Sequence, residues 1–320
     1  MIARRAGVGL AVALAARAAA AVGPDLPPFG LGAFDRQEPI SITAGELDAR
    51  DQDGQRTLAF RKNVEVHQGP LSLAADELEA VYVSGESQPR ALAARGHVAI
   101  REGTRRARCD EARYDRPAQQ IVCRGNPAEL WDAADRLAGG AIAFDLARKS
   151  VRVERGTEVQ IARELTEGDL GQVGADPAVL ERVRGKGPLA ITADTLEASD
   201  PGDTERRIRF GGGVSLRQGD IELSARELEA IYPPRATQPD RLIARDDVAL
   251  REGDREARCQ LAEYRLAERR LTCEGSAVLK DGDDHLEGER IAFDFGAQKV
   301  DASGRTRLFV QSLHRDRDAR

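Results

Sequence analysis

Aromatic residues make up only 4% of this 320-residue chain, with a single Trp and a single Met. A broad core of stacked rings is therefore excluded, and interior positions fall to Val, Leu, Ile and Ala. No helical periodicity of convincing length is present, which excludes a helical bundle. The apolar run Ala6–Ala16 stops at Arg17 after 11 residues, well short of the roughly 20 that a spanning helix needs. A basic tract is missing and the formal net charge is −6, which argues against a nucleic-acid partner. No G-x-S-x-G, H-E-x-x-H or Cys/His constellation occurs, so the chain reads as non-enzymatic, without a metal or cofactor.

What the chain does have is a repeat. LEAVY at 78–82 returns as LEAIY at 228–232, REG at 101–103 as REG at 251–253, and ARC at 107–109 as ARC at 257–259, each time 150 residues on. Such a tandem duplication makes each copy a folding or stacking unit. It also acts as an internal control, because chemistry shared by the copies must occupy matching slots. The histidines fail that control: Arg217 stands where His67 would recur and Asp247 where His97 would, while His285 and His314 stand alone. Asp283-Asp284-His285 reads as a turn rather than a metal site, and Gly211-Gly212-Gly213 as a turn or bulge rather than a phosphate loop.

Residues 1–21 follow the order of a secretory signal: Arg4 and Arg5, the apolar run, then small residues Ala18–Ala21. Its removal takes away Arg4, Arg5 and Arg17, shifting the formal charge from −6 to −9. A Pro/Gly-rich leader at 22–38 precedes copy one at 39–162. A polar linker at 163–187, with a short helix expected over 176–183, leads to copy two at 188–311 and a charged tail at 312–320. The localisation this implies is the periplasm, where four cysteines are ordinarily disulfides. RARCDEARYDRPAQQIVCRG at 106–125 reads as strand, turn, strand, and folding it about Arg116 places Cys109 opposite Cys123. Cys259 and Cys273 stand in the same relation in copy two. Two local disulfides are expected, each closing a short loop. A four-Cys zinc site is the rival, but the 14-residue gap lacks the short pairs zinc prefers.

Copy one alternates apolar and polar residues at period two in short segments: Val64-x-Val66, Leu71-x-Leu73, Leu78-x-Ala80-x-Tyr82, Val98-x-Ile100 and Ile142-x-Phe144. This is the mark of strands with one dry face. In copy two the same slots hold Val214, Leu216, Ile221, Leu223, Leu228, Tyr232, Val248, Leu250, Ile291 and Phe293. The phase slips between Ala75 and Leu78 and again between Ala225 and Leu228, which predicts a β-bulge or corner. Turns are expected at Gln68-Gly69, Ser84-Gly85, Glu102-Gly103, Gly125-Asn126-Pro127 and Gly139-Gly140. The fold class is all-β.

The ordered motifs, P-I-x-I-T-A-x-x-L at 39–47, F-x-x-x-V-x-x-x-Q-G at 60–69, L-x-A-D-x-L-E-x-x-Y at 73–82 and A-x-G-x-V-x-I-x-x-G at 94–103, continue with A-x-Y-D at 112–115, G-N-P at 125–127 and A-I-x-F-D at 141–145. Copy two repeats the series at 191–196, 210–219, 223–232 and 291–294. It departs at Arg226 for Asp76, at Asp246-Asp247 for Gly96-His97, and at Gly275-Ser276 for Gly125-Asn126-Pro127. The set resembles the OstA-like β-domain family of lipopolysaccharide-transport proteins, to which LptA and the periplasmic part of LptD belong. The resemblance implies two tandem open, V-shaped β-jelly rolls whose alternating aliphatics line a groove for lipid tails. It also implies lipopolysaccharide or a related glycolipid as ligand. The partners implied are an inner-membrane transport complex, an outer-membrane translocon and a further copy joined head to tail. The rival reading is a secreted structural β-scaffold or adhesin-like envelope protein whose aliphatics simply pack on each other; a carbohydrate-active enzyme is a third, opposed by the missing recurrent acid pair.

Overall fold

The computed structural model describes residues 39–162, 187–236, 239–297 and 299–310. The expected signal peptide, leader, tail and linker helix all lie outside them. Twenty strands account for about three quarters of the described residues. The first ten are β1 (Ser41–Thr43), β2 (Glu46–Gln52), β3 (Gln55–Gln68), β4 (Leu71–Val83), β5 (Ala91–Glu102), β6 (Arg105–Asp115), β7 (Gln120–Asp132), β8 (Asp135–Asp145), β9 (Ser150–Glu154) and β10 (Thr157–Ile161). Then come β11 (Leu189–Ala193), β12 (Thr195–Ser199), β13 (Arg206–Gln218), β14 (Ile221–Tyr232) and β15 (Arg241–Glu252). The chain ends with β16 (Arg255–Arg265), β17 (Arg270–Asp281), β18 (Asp284–Asp294), β19 (Lys299–Ser303) and β20 (Arg307–Phe309). Consecutive hairpins pair antiparallel from β3 through β9 and from β14 through β19. The all-β reading holds.

The described residues divide into two compact units, 39–162 with 192–208 and 187–191 with 209–310. In the first, β12 adds antiparallel to β9, with Leu196 opposite Val153. A strand whose sequence opens copy two thus completes the unit built by copy one.

The strands are longer than the alternation suggested, because each crosses an irregularity where the period-two phase jumps. The jump falls between Arg61 and Val64 on β3, Ala74 and Glu77 on β4, Arg95 and Val98 on β5, and Arg108 and Glu111 on β6. Copy two repeats it between Ser224 and Glu227, Arg245 and Val248, Arg258 and Leu261, and Glu274 and Ala277. The predicted slips at Ala75/Leu78 and Ala225/Leu228 are two members of these lines of bulges. On alternate strands the backbone passes through two successive left-handed residues: Lys62-Asn63, Gly96-His97, Asp246-Asp247 and Gly275-Ser276. Gly, Asn, Asp and His tolerate that region best, which accounts for most of these residue types. Gly96 is also held by space, since a Cβ there would lie 2.2 Å from Asp76 Oδ2. The Gly triplet is a bulge of this kind, with Gly212 and Gly213 both at positive φ inside β13.

Two expected turns are corrected by the same geometry. Gly125-Asn126-Pro127 and Gly139-Gly140 lie inside β7 and β8, at the bulge line, not between strands. The hairpins at 69–70, 84–85 and 103–104 are turns as expected.

Candidate functional site

Within each unit the long strands bury their apolar sides, and the hydrogen-bond register stacks these residues into rows. In copy one Val66, Leu73, Ile100, Ala107, Leu130 and Leu137 face one another in turn on β3 to β8. Beyond the bulge line runs a second row, Leu78, Ala94, Ala112, Cys123, Ile142 and Val153. Copy two builds the equivalent from Leu223, Leu250, Ala257 and Leu279 on one side and Leu228, Ala244, Ala262, Cys273 and Ile291 on the other. Of the twenty aliphatic and aromatic candidates, all but Leu73 and Tyr82 are buried, and those two are half-buried. Tyr232, the counterpart of Tyr82, is fully buried. Fully burying such a side chain contributes about 1.5–3 kcal/mol.

Sequence reasoning missed members of the same face. Leu130, Leu137, Ile121 and Leu271 are buried in it, and Tyr114 and Tyr264 stand opposite Ile121 and Leu271. Ile121-x-Cys123 and Leu271-x-Cys273 carry the alternation openly; the cysteines drew attention away from it. Burial pushes the phenol of Tyr264 up, so it stays neutral on the inward face.

In copy two a small, partly open apolar pocket of about 30 Å³ lies among Leu223, Leu228, Val248, Leu250, Tyr264 and Cys273. A space of that size accommodates about one or two waters.

The disulfides join Cys109 to Cys123 and Cys259 to Cys273, with Cα separations of 5.9 and 5.7 Å. All four sulfurs are thereby used, which removes the zinc alternative. The register differs from the expected one. β6 and β7 turn through residues 116–119, and Cys123 lies opposite Ala112 rather than Cys109. The bulge turns both Cys109 and Ala112 inward although they are three residues apart, so the disulfide spans the bulge diagonally. Each bond thus fastens a hairpin at the line where its strands change direction.

Outside the interior, the departures between copies prove to be linked. Asp76 Oδ2 lies 2.8 Å from His97 Nδ1, and the matching slots hold Arg226 and Asp247, 3.2 Å apart with the charges exchanged. Two substitutions that look independent in sequence form one compensated pair across β4–β5 and β14–β15. His97 is exposed and tied to this pair, a structural setting rather than a catalytic one.

A family model described as LptA/(LptD N-terminal domain) LPS transport protein matches residues 41–150 and again 190–299. Among solved structures, one described as LptH, the LptA-homologous periplasmic component of the lipopolysaccharide transport device of Pseudomonas aeruginosa, is 19% identical. The match covers 38% of this chain and 85% of that one, with a TM-score of 0.32. No curated protein matches.

Proposed function

The chain belongs to the LptA/(LptD N-terminal domain) family of lipopolysaccharide transport proteins, and from that premise we propose that it is a periplasmic carrier holding the tails of a lipopolysaccharide or related glycolipid between its strand arms. The observation that carries this reading is the apolar face that the cross-strand rows of aliphatics form on the long strands of each copy. Each methylene buried there contributes about 0.8 kcal/mol, so a few tails bind firmly without a charged site. The bulge lines are where the arms part to admit them.

The same reading makes the carrier a link between an inner-membrane transport complex and an outer-membrane translocon, extended by head-to-tail addition of further copies. Support comes from the addition of β12 to β9 within one unit. Leu196 on β12 is fully buried, whereas its counterpart on β2, Leu47, is 60% exposed. Leu308, Phe309 and Val310 at the other end are exposed as well. Both ends therefore offer apolar strands for β-augmentation. Residues 1–21 act as the export signal in this account, and the two disulfides suit an oxidising compartment.

A second reading has one observation in its favour. Nearly all the inward aliphatics are buried in the protein alone, as in a scaffold filled by its own side chains. Native mass spectrometry of the full chain purified from its own envelope separates the two. Carrier function gives an added mass matching a glycolipid with several acyl chains. Protein mass alone, unchanged after incubation with glycolipid micelles, contradicts it.

A further inference from the structure

The outward faces of the two copies differ at one row of side chains next to the hairpin turns at 69–70, 103–104 and 133–134. In copy two the row reads Arg217, Glu222, Arg251, Glu256 and Lys280, alternating in sign across β13 to β17. Glu222 pairs with Arg217 at 3.2 Å, and Glu256 takes both Arg251 at 3.2 Å and Arg258 at 2.5 Å. Four of its five charges are thereby joined in ion pairs.

Copy one breaks that pattern. The corresponding residues are His67, Ser72, Arg101, Arg106 and Trp131, with Arg101 directly opposite Arg106. Arg108 stands one outward position along β6. Arg101, Arg106 and Arg108 are exposed, and none has an ion pair with a carboxylate among the described residues. Glu129, opposite Arg108 on the ladder, and Glu158 hold Arg136, Asp132 holds Arg105, and Asp110, the next outward residue of β6, forms no ion pair with the three. Glu65 faces His67. The guanidinium carbons of Arg106 and Arg108 lie 5.8 and 5.6 Å from the ring centroid of Trp131, the only Trp in the chain. Like charges opposite each other across a ladder destabilise it. Three exposed arginines without an ion pair, two of them set over one indole, are suited to an anion from outside.

We propose that Arg101, Arg106 and Arg108, the last two set over Trp131, form a site for the phosphate-bearing sugar headgroup of the glycolipid. Guanidinium forks suit phosphate oxygens because they donate two parallel hydrogen bonds at once. The row sits at the rim of the interior: Ile100, Ala107 and Leu130, the immediate chain neighbours, point inward from the same strands. A lipid whose tails lie between the arms can fold its headgroup over that rim onto this face. The site rests on the tail-binding reading, and it makes copy one the headgroup-reading copy.

The test borrows copy two's own arrangement. Arg106→Glu places a carboxylate between Arg101 and Arg108, as Glu256 stands between Arg251 and Arg258, so the variant is expected to fold with an undiminished melting temperature. Affinity of the full chain is measured for a phosphorylated glycolipid, for the same lipid dephosphorylated, and for phosphatidylglycerol vesicles. The wild type should bind the phosphorylated form about tenfold or more tightly than the dephosphorylated one, with an advantage that falls as salt rises. R106E should lose that advantage and bind the dephosphorylated form as the wild type does. An advantage that survives R106E overturns the site, and so does a variant that loses both forms equally. Phosphatidylglycerol bound as tightly, with the same sensitivity to R106E, makes the patch a general membrane contact and also overturns it. A wild type that binds neither glycolipid form sinks the tail-binding reading and the headgroup site together, whereas equal binding of both forms by wild type and variant sinks the headgroup site alone.

Discussion

Replacing Cys109 and Cys123 together by alanine removes the covalent tie from the β6–β7 hairpin. The bond closes a loop of 14 residues, and its loss returns about 3 kcal/mol of conformational freedom to the unfolded chain in the entropy model. The folded state loses contacts too. Cys109 and Cys123 are 6% and 3% exposed, and Val98, Ala112 and Ile142 stand opposite them. Two missing sulfurs there leave a void worth about 1–2 kcal/mol, so the total is roughly 4–5 kcal/mol. The assay follows from position: Trp131 lies on the same strand as Cys123 and is the only Trp in the chain. Its fluorescence in a urea titration therefore reports this hairpin. With a slope of about 2 kcal/mol/M, the midpoint should fall by about 2 M. Dithiothreitol added to the wild type should reproduce the entropic share, about 1.5 M. A midpoint that moves by less than about 0.3 M in both experiments would refute the claim that the disulfide fastens the bend.

Glu229 lies between Arg209 and Arg245 at 3.0 and 3.1 Å. Burial pushes its carboxyl up, but hydrogen bonds from Arg245 and Arg209 outweigh this and its pKa lies below the ordinary value. A depressed carboxyl contributes stability above the unfolded pKa near 4.3 and loses it as pH falls through the folded value. Glu229→Gln should therefore cost about 1–3 kcal/mol at pH 7 with a gap that narrows below pH 4; a gap constant down to pH 3 contradicts the sign. At the compensated pair, Asp76→Arg alone should lower stability by up to about 1 kcal/mol and adding His97→Asp should restore it. Thermal melts showing no recovery in the double variant would separate the two positions.

Much of the fold was legible because period-two alternation survives on every long strand, and the repeat confirmed it slot by slot. The interior candidates such as Val64, Ile100, Val214 and Leu250 followed from that alternation alone. The bulge lines were legible only at Ala75/Leu78 and Ala225/Leu228, where two apolar residues frame the slip. On β5 and β15 the slip is made by Gly96-His97 and Asp246-Asp247, polar types that also read as turns. Gly125-Asn126-Pro127 misled for the same reason, since the residues that favour turns also favour bulges. The β6–β7 register was misjudged because symmetric folding about Arg116 allows for no bulge, yet one lies between Arg108 and Glu111. The arginine row was invisible in sequence, because Arg101, Arg106 and Trp131 come together only through cross-strand register.

The central claim is that lipid tails lie on the inward face. Photoreactive residues placed at Leu73 and Leu223, which face Ile100 and Leu250 across the ladders, can be compared in cells with the same residue at their outward neighbours Ser72 and Glu222. The account predicts glycolipid adducts from positions 73 and 223 and little from 72 and 222. Adducts from 72 and 222 with none from 73 and 223 would contradict it.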